Sequence, residues 1–182
     1  MIDEGCKHDL NASSRKVIHD VNTHGWHVVK VDVRDEHPGW AFSIGLFHTF
    51  QHPEFLIFGL DLDLMHRLIN SLGEEVRAGR RFAADFEHDA LLKGYRCALK
   101  PVDPVWYPHV LGFATWYYKG AEFPTLQCFW PDKQHRYPWQ SGFDEKLESH
   151  QPLLFNRDPV AARAEALFAS TAHAPNEDEA FQ

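Results

Sequence analysis

A chain of 182 residues falls within the usual range of one domain, and its 44% hydrophobic, 24% charged and 14% aromatic residues are enough to build one sizeable core. The formal charge of −8 and the lack of any Lys/Arg run exclude the cationic footprint that phosphate neutralisation needs, so nucleic acid is not an expected partner. Met1–Leu10 carries Asp3, Glu4, Lys7, His8 and Asp9 where a signal peptide would be apolar, and no later run approaches membrane-spanning length. A cytoplasmic protein without membrane contact is expected. Cys6, Cys97 and Cys128 are widely spaced and form no C-x-x-C pair, so buried or idle thiols are expected rather than disulfides or a zinc site.

Val17, Ile18 and Val21 form a short helical stripe that Ser13 or Ser14 can cap and Gly25 can end in the left-handed conformation. His27–Arg34 then alternates, with Val29, Val31 and Val33 on one face, as in a half-buried strand. Turn residues 36–39 precede a second strand, Trp40–Leu46, where Phe42, Ile44 and Leu46 oppose Ala41, Ser43 and Gly45. A face this bare lets a packed helix or a ligand approach the backbone, and the helix is the preferred reading.

Residues 47–54 read as a polar loop, and Phe55–Leu60 as a central strand buried on both sides. Asp61 or Asp63 can cap the clearest helix, in which Leu64, Met65, Leu68, Ile69, Leu72 and Val76 recur at three-to-four spacing until Gly79. Arg80–Asp89 matches neither period. Tyr95–Lys100 alternates as a strand, and Pro108 and Gly120 bracket an expected helix over 109–119. Thr125–Trp130 reads as the last strand, followed by an aromatic, proline-rich loop to Trp139. Asp158 and Pro159 open an expected terminal helix, and residues 171–182 read as a flexible acidic tail after a single domain over 1–170. Strands and helices without regular alternation predict an α+β fold with a mainly antiparallel sheet, with curling into a small split-barrel-like core as one form of it.

Gly25-Trp26, Phe42-Ser43-Ile44-Gly45-Leu46, His52-Pro53-Glu54, Phe58-Gly59-Leu60, Gln127, Trp130-Pro131-Asp132, Pro138-Trp139 and Gln151-Pro152-Leu153 occur in that order between Gly25 and Leu154. In that order and at these separations they resemble the bacterial family known as domain of unknown function 4262, a resemblance that implies no particular chemistry. The layout of a small-residue strand, a loop, an apolar strand and a helix is also similar to flavin reductase-like split barrels. That second likeness implies a flavin or nucleotide held near Ser43 and Gly45, on fold analogy alone.

His48 and His52 lie four apart, with His19, His24 and His27 upstream, so a metal site can be drawn from them. With 13 histidines and no H-E-x-x-H pattern, satisfied surface or core histidines are preferred and no metal is assigned. His52-Pro53-Glu54 could pair an imidazole with a carboxylate for proton transfer, or Pro53 could simply extend the chain into the strand while Glu54 caps a turn. The simpler reading is preferred. Trp130-Pro131-Asp132 resembles a phosphatase acid loop, but no cysteine sits in a phosphate-cradling loop, so Asp132 is expected to cap the 133–136 turn instead.

The leading expectation is a small-molecule-binding domain, flavin- or nucleotide-dependent in one form. Its site would lie between the bare face of Ala41, Ser43 and Gly45 and the 130–139 loop, with Ser43, Gly45, His52, Glu54, Gln127, Asp132 and Trp139 as ligand-binding residues. One alternative is a non-enzymatic interaction or immunity-type module using an apolar patch around Trp106, Tyr107, Trp116 and Tyr117. A second is a metal-dependent hydrolase using His48 and His52.

Overall fold

A computed structural model describes residues 11–32, 38–85, 87–92 and 94–165, and of residues 88–91 only the backbone. The expected acidic tail, residues 166–170 of the expected terminal helix, Val33 and Cys6 lie outside these residues; 159–163, at the start of that helix, form turns.

Helix α1 (Ala12–His24) is capped by Asn11, whose side chain accepts from the Ser14 N–H, so both Ser13 and Ser14 lie inside the first turn rather than at the cap. Gly25 ends it at φ +90°, as its sequence position implied. Strand β1 (His27–Val31) pairs antiparallel with β2 (Trp40–Ile44). The second strand stops two residues short of the expected Leu46. Gly45 turns to φ +110°, and residues read as a polar loop form a short helix, α2 (Leu46–Phe50). Only glycine adopts that turn readily, and the Cβ of any other residue would lie 2.8 Å from Val21 of α1.

β3 (Glu54–Phe58) is buried along its whole length and pairs antiparallel with β2. α3 (Leu62–Arg77) follows, with Asp61 as its cap. The ambiguous segment after it ends in β4 (Glu87–Leu92), which forms a hairpin with β5 (Tyr95–Pro101). The expected 109–119 helix starts earlier and is interrupted. A 3-10 turn at Pro104–Trp106 leads into α4 (Tyr107–Val110), and Leu111 breaks the chain before α5 (Gly112–Tyr118). β6 (Thr125–Phe129) then inserts between β3, to which it is parallel, and β5, to which it is antiparallel.

The resulting six-stranded sheet has the order β1-β2-β3-β6-β5-β4. The fold is α+β and the sheet mainly antiparallel, as expected. It is open, with β1 and β4 at its edges, so the split-barrel form is corrected: the first and last strands in the order never meet to close it.

Helices cover both faces. On one, Met65, Ile69, Leu72 and Val76 of α3 pack on Ala41, Phe55, Ile57 and Leu99. The small side of β2 therefore receives a helix, and Gly73 of α3 in turn makes room for the Trp26 ring, which would lie 2.5 Å from a Cβ there. On the other face Val17 and Val21 of α1 and Trp106, Tyr107, Val110 and Ala114 of the 104–118 segment cover Phe42, Ile44, Leu56 and Phe58. Among the described residues no helix is long and apolar enough to cross a membrane.

Candidate functional site

Strand register decides which of the sequence-selected residues can meet. Trp40 lies opposite Phe58, so Ser43 and Gly45, at the far end of β2, sit beside the start of β3, where Glu54 pairs with Thr125. Because β6 runs parallel to β3, Trp130 emerges at the opposite end of the sheet, and its indole N–H donates to the Phe58 carbonyl at 2.8 Å. The bare β2 face and the 130–139 loop therefore do not line one cleft, which corrects the expected site.

At the first end, Glu54 is fully buried and gathers four donors. One carboxylate oxygen accepts from the Ser43 hydroxyl at 2.5 Å. The other accepts from the Gly45 N–H at 2.9 Å, the Phe47 N–H at 3.0 Å and the Tyr118 hydroxyl. Ser43 also accepts from the Phe55 N–H at 2.9 Å, and the Tyr118 oxygen accepts from Gly45 and His48 N–H groups at 3.0 and 3.3 Å. One carboxylate thus fastens the end of β2, the start of α2 and the end of α5. Burial pushes its pKa up, against the hydrogen bonds from Ser43, Tyr118, Phe47 and Gly45, and all four partners are neutral. Burial and the neighbouring Glu54 charge push the Tyr118 phenol far above the ordinary tyrosine range, so it remains a donor.

Outward from this joint the side chains are aromatic. Phe47 meets Tyr118 edge-on at 6.0 Å, Tyr118 meets Tyr117 at 5.1 Å, and Tyr117 meets the exposed His48 at 6.0 Å. Trp116, 39% exposed, continues the row beside Tyr117.

His52 does not join Glu54. Its buried ring packs on Phe55 and Phe82, its Nδ1 lies 2.7 Å from the Pro53 carbonyl, and its Nε2 accepts from the Phe82 N–H at 3.0 Å. A carbonyl only accepts, so Nδ1 carries the proton and both nitrogens are engaged. That leaves neither a general base paired with Glu54 nor a lone pair for a metal. Among the described residues no group of three or more His, Cys, Asp or Glu could hold a metal ion. Burial holds the His52 pKa below the ordinary histidine value of 6.5. Its contribution to stability is therefore complete above about pH 6.5 and is lost as pH falls toward the folded-state value. In an NMR titration the His52 ring is expected to reach its midpoint below pH 6.5, and a midpoint at or above that value would disprove the assignment.

The other sequence-selected residues serve the opposite end and the sheet centre. Asp132 is buried and accepts from the N–H groups of Gln134 and Arg136 at 2.8 and 2.9 Å and from Arg136 Nε at 3.0 Å. Burial works to raise its pKa, but these donors outweigh it and hold the carboxyl below the ordinary value. It closes the 132–136 turn, as expected. Trp139 stacks on Tyr137 at 5.1 Å, beneath Lys100, whose Nζ lies 5.2 Å from the ring centre. Gln127 donates to the Pro152 carbonyl at 2.7 Å and accepts from Leu154, while Gln151 brackets the Trp130 backbone, accepting from its N–H at 3.0 Å and donating to its carbonyl at 2.9 Å. Cys97 and Cys128 are buried free thiols, and the hydrogen bond with Cys97 together with burial pushes Cys128 up, the wrong direction for a nucleophile.

Of the side chains in the joint, Tyr118 is the one that sequence reasoning missed. Nothing local distinguishes it from Tyr117, because its partner is 64 residues away.

No curated protein and no solved structure matches the chain. A family model described as Domain of unknown function (DUF4262) matches residues 20–144, more than half of the 182-residue chain. The chain belongs to that family.

Proposed function

We propose that this chain is a small-molecule-binding domain whose ligand docks on the face formed by α2 and α5 above Glu54. The observation that supports it is a fully buried carboxylate with only neutral partners, joined through Tyr118 to a row of half-exposed rings. Capping a five-residue helix needs no more than a serine or asparagine oxygen. A buried carboxyl group costs on the order of several kcal/mol more in desolvation when ionised, which is more than capping requires. Aromatic surface backed by a few fixed polar groups is also the usual composition of a ligand site.

The competing readings have less support. The flavin analogy rested on a barrel-like layout, and this sheet is open. A hydrolase built on His48 and His52 lacks a free His52 nitrogen. The apolar patch expected of an interaction module shrinks to Trp116 and Tyr117, since Trp106 and Tyr107 are buried.

Native and denaturing mass spectrometry of the untagged protein, followed by a panel of neutral, anionic and cationic small molecules read by ligand-observed NMR and Trp116 emission, tests the proposal. Binding that is weakened by Trp116→Leu or Tyr117→Leu is expected. Compounds that bind with no loss in either variant, or a panel with no binder at all, would overturn it.

A further inference from the structure

We draw no further inference here: the strongest candidate, the side-chain cluster of Asp20 and His27 between α1 and β1, leaves the buried His27 Nε2 without a hydrogen-bond partner among the described residues, and nothing in the structure shows what would meet it.

Discussion

Glu54→Ala is expected to lower the unfolding free energy by about 3–5 kcal/mol, among the largest effects of any single side chain in this fold. The substitution removes the acceptor for the Ser43 and Tyr118 hydroxyls and for the Gly45 and Phe47 N–H groups. Each buried donor left without a partner costs about 1–3 kcal/mol, and water entering the vacated space recovers part of the sum. Ser43→Ala should cost less, about 1–2 kcal/mol, because Glu54 keeps three donors and only the Phe55 N–H loses its acceptor.

The pH dependence carries a separate sign. Burial raises the Glu54 pKa above its ordinary value of 4.5, so the native state holds this proton more tightly than the unfolded chain. The corresponding stability is fully present below pH 4.5 and is lost as pH rises through the folded-state value. Glu54→Gln cannot titrate and should show a stability-pH curve lacking this fall. Urea unfolding of wild type, Glu54→Ala, Ser43→Ala and Glu54→Gln between pH 4.5 and 8, followed by tryptophan emission, provides the measurement. A loss below about 1 kcal/mol for Glu54→Ala, or parallel curves for wild type and Glu54→Gln, would show that the carboxylate is not the joint described.

How much of this was legible in the sequence follows the range of the interactions. α3 was readable because its buried stripe and its Asp61 cap are local, and β3 because an unbroken apolar run admits burial on both faces. The bare side of β2 correctly implied a close neighbour, which is α3. By contrast, α2 was hidden: its five residues carry no helical stripe, and the carboxylate that caps it lies at Glu54, after the helix in sequence and on another element. The candidate site was misassembled for a related reason. Ser43, Gly45 and Glu54 do come together, but their distance from Trp130–Trp139 depends on the parallel pairing of β3 with β6, between strands separated by the whole α3 to α5 segment. Nothing in the spacing of either motif encodes that pairing.

The opposite end of the sheet yields the second large effect. Gln151 is fully buried, and its carboxamide both accepts from the Trp130 N–H and donates to the Trp130 carbonyl, which substitutes for a strand partner just where β6 ends. A carboxamide offers a donor and an acceptor side by side, which an ionised carboxylate does not. Gln151→Ala should therefore cost about 2–4 kcal/mol, from two stranded backbone groups plus a cavity. Gln151→Glu should cost more than alanine despite its closer shape: it keeps the acceptor, loses the donor to the Trp130 carbonyl, and buries a charge against that carbonyl oxygen. Raising the acidity should narrow the difference, since a protonated glutamate regains a donor. Gln151 lies past residue 144, beyond the family-matched segment, so a large effect here would mean that the last strand of the matched region depends on chain outside it. Denaturant midpoints for the two variants at pH 7.5 and 5 decide the point, and an ordering with glutamate milder than alanine at pH 7.5 would rule out the amide clamp.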